Sequence, residues 1–134
     1  MIYQDIRSAF ESTLYNIDTP FKTAWENTEF TPDTSAYQRV QLVFQQPDNP
    51  TMDAGFRREQ GEFQVFVSYP LDSGVVAAFT KAKQIADVFK RGTTLTKNST
   101  NVQIVKSPYV GTGFKILDRY VVPVTIEFYV DVFE

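Results

Sequence analysis

The chain has 134 residues, with 13 Lys and Arg against 16 Asp and Glu, and it contains neither Cys nor His. This composition excludes Ser-His-Asp and Cys-His catalysis, disulfide bonds, and zinc sites built on Cys or His. A net charge of −3 argues against a surface that neutralises phosphates, and 43% hydrophobic residues are enough for the core of one domain, residues 1–134.

The first predicted element is a helix with an apolar residue at every fourth position, formed by Ile2, Ile6, Phe10 and Leu14. Asn16, Asp18 and Pro20 signal its end. Residues 21–34 mix Pro32 with large aromatic side chains, and they predict a short strand followed by a covering loop.

Two strands and a long connection are predicted next. Residues 36–44 alternate apolar and polar side chains, which is typical of a strand with one wet face, and residues 62–69 repeat this pattern apart from Phe66. Residues 45–60 are rich in Pro, Asp, Asn and Gly, which predicts a long loop. Because loops of this length are often functional, the loop is a candidate interaction site.

A second helix is predicted at residues 74–91, ended by Gly92 in a left-handed conformation. Its inner stripe would comprise Val75, Ala78, Phe79, Ala82, Ile85, Ala86 and Phe89. After a polar segment at residues 93–100, a third strand is predicted at residues 102–107 and a last one at residues 119–133. Because proline cannot donate a ladder hydrogen bond, Pro123 indicates an edge strand or a local bulge in the last strand.

These elements predict an α+β fold, a mostly antiparallel sheet of four or slightly more strands with two helices on one face. The Gly111-Thr112-Gly113 triplet is either a turn between antiparallel strands or a weak candidate for a phosphate loop. The adjacent Arg57, Arg58 and Glu59 are interpreted as a local ion-pair cluster, an inter-subunit salt bridge, or a nucleic-acid patch. Aromatic residues near loops would be lids on the core or interface anchors: Phe21, Trp25, Phe30, Phe56, Tyr109 and Phe114.

Short segments in a fixed order cover most of the chain: Thr23-Ala24-Trp25-Glu26-Asn27, Phe30-Thr31-Pro32, Tyr37-Gln38-Arg39-Val40, Asn49-Pro50-Thr51, residues 56–65, Tyr69-Pro70, residues 82–93 and residues 118–124. This ordered series resembles the tail-terminator-like proteins of long-tailed bacteriophages. No single segment is chemically diagnostic, so the resemblance depends on the order of the whole series.

The resemblance implies a structural virion protein without catalytic residues, cofactor or metal. Such a protein forms a ring, commonly a hexamer, on the head-proximal end of the tail tube and stops tube polymerisation. Its partners would be copies of itself, the major tail tube protein and the head–tail connector; DNA would pass through the lumen without specific binding, and no membrane is involved. Assembly would take place in the cytoplasm of the host bacterium.

Eight residues are candidates for contacts with a neighbouring subunit or the tail tube: Asn49, Pro50, Phe56, Arg57, Arg58, Glu59, Asp118 and Arg119. Two alternatives stay open at this point. One is a head–tail joining or neck protein of similar architecture. The other is a small-molecule-binding domain or an enzyme that uses an oxygen-only site.

Overall fold

The structure, a computed structural model, describes residues 2–17, 21–31, 35–52, 54–72 and 74–133. It contains two helices and eight strands, which confirms the α+β class. In chain order the elements are α1 (Ile2–Tyr15), β1 (Lys22–Ala24), β2 (Tyr37–Phe44), β3 (Phe56–Pro70), α2 (Val76–Val88), β4 (Thr94–Lys97), β5 (Thr100–Ile104), β6 (Tyr109–Val110), β7 (Phe114–Ile116) and β8 (Arg119–Phe133). The predicted signals at Asp18, Pro20 and Pro32 lie outside the described residues.

All eight strands belong to one curled, open sheet with the order β1-β2-β3-β8-β5-β4, and β6 and β7 also pair with β8. The long strands β3 and β8 are antiparallel over fifteen residues each, from Phe56 opposite Phe133 to Pro70 opposite Arg119. The predicted count of four or slightly more strands was therefore too low. The additional strands are short, and the polar segment 93–100 turns out to contribute the edge strand β4.

Both helices bury one face against the same side of the sheet. The predicted stripe of α1 is confirmed, because Ile6, Phe10 and Leu14 are buried. The ring of Phe10 lies at the centre of the core, with centroid distances of 4.6 Å to Phe63 and 5.0 Å to Phe128. The even-numbered side chains of β8 complete this face, as their alternation predicts.

Helix α2 is shorter and faces the sheet differently from the prediction. Ala78, Ala82 and Ile85 are buried as expected, but Val75 and Phe79 are exposed. Lys81 is buried in their place, with its Nζ 4.3 Å from the centre of the Phe21 ring. The apolar stripe was therefore predicted too wide, because a lysine can bury its aliphatic stem and keep its charge over an aromatic face.

Strand β8 has the predicted bounds, but Pro123 does not mark a sheet edge. Between the β6 and β7 pairings the register on β8 shifts by one residue, so residues 111–113 bulge opposite Pro123. The carbonyl of Pro123 accepts a 2.9 Å hydrogen bond from the Gly111 amide. A side chain at Gly111 would collide with the proline ring, and one at Gly113 would collide with Tyr120. The local bulge predicted at Pro123 therefore lies in the paired segment 111–113 and not in β8 itself, and the predicted turn between two antiparallel strands is wrong because β6 and β7 both run antiparallel to β8.

The Glu26 carboxylate joins α1 to the sheet. Its Oε1 accepts hydrogen bonds from Arg7 Nη1 at 2.8 Å and from the Leu42 amide at 3.0 Å. Burial opposes ionisation of Glu26, but these two donors outweigh it and lower the pKa of the carboxyl group below its usual value.

We expect the stabilisation from Glu26 to be lost in acid. Because the folded-state pKa is lowered, the ionised group stabilises the fold above the unfolded value of 4.5, and this contribution vanishes as the pH falls through the folded pKa. Glu26→Gln should reduce the free energy of unfolding by about 0.5 kcal/mol at pH 7, because solvent screens a partly exposed ion pair, and by less at pH 3.5. Urea denaturation at both pH values measures this, with exposed Glu29→Gln as control. An equal loss at both pH values would contradict it.

Candidate assembly surfaces

The candidate residues Arg57, Arg58 and Glu59 lie on β3 and form two ion-pair systems on its opposite faces. Arg58 binds Asp131 through two hydrogen bonds, Nε to Oδ1 at 2.7 Å and Nη2 to Oδ2 at 3.2 Å. Its guanidinium also lies 4.1 Å from the centre of the Tyr129 ring. The bond to Asp131 raises the pKa of Arg58, so the guanidinium stays charged. The predicted ion-pair cluster is therefore present, with a partner 73 residues away in sequence.

Glu59 is the buried member of the second system, with only 1% of its surface exposed. Its Oε1 accepts hydrogen bonds from Arg57 Nε at 2.8 Å and from the Tyr3 hydroxyl at 3.0 Å. The hydrogen bond to Glu59 raises the pKa of Tyr3 and also that of Arg57. A buried carboxylate with these donors is held in one position, so Glu59 fixes the direction of the Arg57 side chain.

The predicted long loop is shorter than its sequence suggests. Strand β3 already begins at Phe56, so Arg57, Arg58 and Glu59 lie on a strand and not in the loop. The amide and carbonyl of Asp48 each form a 2.8 Å hydrogen bond with the backbone of Arg58, which joins the loop to the strand. Asn49 and Pro50 are exposed in the remaining loop, residues 45–55.

Phe56 lies on the same face of the sheet as Arg58, at the start of β3. Its ring stacks on that of Phe133, with centroids 4.9 Å apart and an interplanar angle of 7°. Phe133 itself is largely exposed. The end of the β3–β8 ladder therefore presents an aromatic pair beside the Arg58–Asp131 ion pair, a combination that is enriched in protein interfaces.

Asp118 and Arg119 lie at the opposite end of the same ladder, roughly 45 Å away along the strands. Asp118 is exposed in the turn between β7 and β8. Arg119 is 7% exposed, donates a 2.6 Å hydrogen bond to the Ser35 carbonyl, and lies 4.9 Å from the centre of the Tyr37 ring. The eight predicted site residues thus belong to two separate surfaces.

An apolar groove with a volume of about 490 Å³ lies beside Arg119, on the sheet face that the helices leave uncovered. We call it the outer groove, lined by Tyr37, Phe66, Ser68, Phe114, Ile116 and Val121. Exposed Arg39 and the nearly fully exposed Leu117 form its rim. Among the described residues, Ser68 Oγ on its floor has no hydrogen-bond partner. Two features of the sequence point to this groove, because the apolar residues Phe66 and Val121 lie on strand faces that are otherwise largely polar.

A second apolar surface lies at the start of α2. We call it the α2 patch, formed by Val75, Val76 and Phe79, which are 52%, 76% and 36% exposed. Asp72 is exposed next to it. The N-cap position of α2 has no side-chain hydrogen bond. The prediction that Val75 and Phe79 belong to the core was wrong, and the structure instead places them where they can contact another molecule.

The acidic side chains and the helices of the described ranges bear on metal binding and on membrane insertion. Within those ranges, no group of three or more acidic side chains is arranged to hold a metal ion. None of the helices found there is long and apolar enough to cross a membrane. The described surface offers ion pairs, exposed aromatic side chains and two apolar surfaces, features that are typical of surfaces that contact other proteins.

Comparisons with known proteins identify the family of the chain. The family model described as phage tail terminator protein matches residues 5–128, so the chain belongs to the phage tail terminator family, a family of structural proteins of the bacteriophage tail. A solved structure with 25% sequence identity aligns with 97% of this chain and with 96% of the other chain. The TM-score of 0.82 shows that the two chains share a fold. No curated protein matches the chain.

Proposed function

We propose that the chain forms a homo-oligomeric ring, a hexamer, on the head-proximal end of the phage tail tube. The ring stops tube polymerisation and provides the surface for head–tail joining. The match of residues 5–128 to the tail terminator family carries this proposal. The partners are further copies of the chain, the major tail tube protein and the head–tail connector, and the ring assembles in the cytoplasm of the bacterial host.

The two ends of the β3–β8 ladder suit different contacts in such a ring. We assign the end with Asn49, Pro50, Phe56 and Arg58 to the tail tube or the neighbouring subunit, because its loop and ion pair are accessible. Glu59 contributes by holding Arg57, since it is itself buried. At the other end, exposed Asp118 is available for contacts, whereas Arg119 supports the wall of the outer groove.

The charge of the chain suits a ring through which DNA must pass. The net charge is −3, and Glu62 lies directly opposite Glu127 on the uncovered face of the sheet. Lys106 forms a 3.3 Å ion pair with Glu127, which offsets part of the negative charge of these two glutamates. A lumen wall that is neutral or acidic does not retain phosphates, so DNA can pass without specific binding.

Electron microscopy of tails made with and without this protein tests the function. Without it we expect tubes that exceed the normal tail length, because nothing stops polymerisation, and the wild-type chain should restore the length. A chain lacking residues 47–54 should fail to do so if the loop contacts the tube. As a control, a chain with the exposed Lys90 changed to alanine should restore the length fully.

Two outcomes would overturn parts of this proposal. Tails of normal length that fail to join heads would identify a head–tail joining protein instead of a terminator. Normal length control by the chain lacking residues 47–54 would remove the loop from the contact surface while leaving termination in place.

A further inference from the structure

The α2 patch and the outer groove lie on opposite faces of the sheet. Ala78, Ala82 and Ile85 bury the inner side of α2 against the core, so the exposed α2 patch lies on the helix-covered side of the sheet, away from these core residues. The groove residues Phe66 and Val121 lie on the other side of β3 and β8, between buried neighbours that face the core. One subunit therefore carries two different apolar surfaces on the two sides of its sheet.

Both surfaces also lie at the same end of the β3–β8 ladder. Ser68 and Val121, on the floor and wall of the groove, are register partners close to the end of β3. The segment that enters α2 is held at this end by a 3.2 Å hydrogen bond from the Leu71 amide to the Asp118 carbonyl. The start of α2 and the outer groove are therefore both connected to this end of the subunit.

This arrangement is the one that a cyclic ring requires. Neighbours in a ring are related by a rotation, so each contact joins one patch to a different patch on the next copy. If two patches lie on opposite faces at the same end, successive copies can join in a closed plane. A two-fold dimer would instead need one patch that is complementary to itself.

The chemistry of the two surfaces is complementary. The α2 patch presents Val76 and Phe79 as protruding apolar side chains, and the outer groove is a concave apolar surface with a volume of about 490 Å³. Exposed Asp72 flanks the α2 patch, whereas exposed Arg39 forms the rim of the groove. Opposite charges beside an apolar contact fix its register and disfavour pairing of like surfaces.

We propose that the outer groove of each copy receives the α2 patch of the next copy, and that this contact closes the ring. The inference rests on the proposed ring and adds the surfaces that form it. The occupant of the groove is a second copy of this chain, with Val76 and Phe79 in the groove and Asp72 beside Arg39. The loop of residues 45–55, at the far end of the ladder, is then left available for the tail tube.

Cysteine cross-linking tests this contact, because the chain contains no cysteine of its own. A double variant, Val76→Cys with Ile116→Cys, places one thiol on each surface, and both positions are exposed. A disulfide needs Cα atoms within about 7 Å, and the sheet lies between these two positions, so we expect the thiols to join between copies and not within one chain. Oxidation of the double variant should give a ladder of covalent oligomers that ends at the size of the ring.

Matched variants make the result specific. A mixture of the two single variants should give covalent dimers and nothing larger, and each single variant alone should stay uncross-linked. A control pair, Lys90→Cys with Ile116→Cys, has its first thiol beyond the C-terminal end of α2 and should give no ladder. Oxidation is carried out on the free protein and on assembled tails, and wild-type ring size is measured by light scattering and electron microscopy.

Each contrary outcome has a distinct meaning. If wild-type rings form and limit tail length but the double variant gives no ladder, this contact is wrong and the proposed function stands. Covalent dimers of Val76→Cys alone would indicate a two-fold contact and overturn the inference, as would equal cross-linking of the control pair. If the wild-type chain forms no ring either in solution or on tails, the proposed function fails as well.

Discussion

Replacing Phe10 with alanine is expected to lower the free energy of unfolding by about 3–5 kcal/mol. The Phe10 side chain is fully buried, and its ring contacts those of Phe63, Phe89 and Phe128. Its removal therefore loses the transfer free energy of one aromatic side chain and leaves a cavity among three rings that β3, α2 and β8 hold in place. This loss is a large fraction of the stability of a typical domain.

Urea denaturation followed by tryptophan fluorescence measures this effect, because Trp25 is the single tryptophan and lies against the core. Tyr15→Ala is the matched control, an aromatic residue on the same helix that is more than half exposed. It should change the free energy of unfolding by no more than about 0.5 kcal/mol. Similar losses for the two variants would mean that Phe10 is not the centre of the core.

The elements with one buried face could be predicted from the sequence. The apolar residues of α1 recur every fourth position, and those of β8 alternate from Val122 to Val132. Burial imposes this periodicity directly on the sequence, so helix and strand could be distinguished without knowledge of their partners. The same reasoning located β2 to within one residue at its start.

The hairpin of β4 and β5 could not be predicted in the same way. Strand β4 is an edge strand with a single buried residue, Leu95, so its threonines and lysine read as a polar loop. The turn itself has positive φ at both Asn98 and Ser99, the pattern of a type I′ turn. Such turns usually have glycine at the second position, and the serine removed that signal.

The candidate surfaces were predictable only where the interacting residues are neighbours in sequence. The ion pair of Arg57 with Glu59 follows from their spacing, whereas the pairing of Arg58 with Asp131 depends on the register between β3 and β8. The outer groove requires still more, because its walls come from four separate strands. Single apolar residues on polar faces indicate such a surface only after the fold brings them together.

Gly61 lies on β3 between its two neighbouring strands, β2 and β8. It lies opposite Phe44 on β2 and Phe128 on β8, and these two rings meet edge to face with centroids 6.3 Å apart. A Cβ atom built on Gly61 would overlap the carbonyl oxygen of Val43 and lie 3.2 Å from the Phe44 Cα. Both are backbone atoms, so no side-chain rotation can relieve the overlap.

Gly61→Ala is therefore expected to lower the free energy of unfolding by about 1–3 kcal/mol, because β2 must move away from β3 to admit one methyl group. Gln41→Ala, at an exposed position of β2, is the matched control and should stay within about 0.5 kcal/mol of the wild type. Urea denaturation gives both values. Movement of β2 would also displace the loop of residues 45–55, so complementation by Gly61→Ala should yield longer tails even at temperatures where the variant is folded. Equal stability of the two variants would show that β2 accommodates the methyl group without moving.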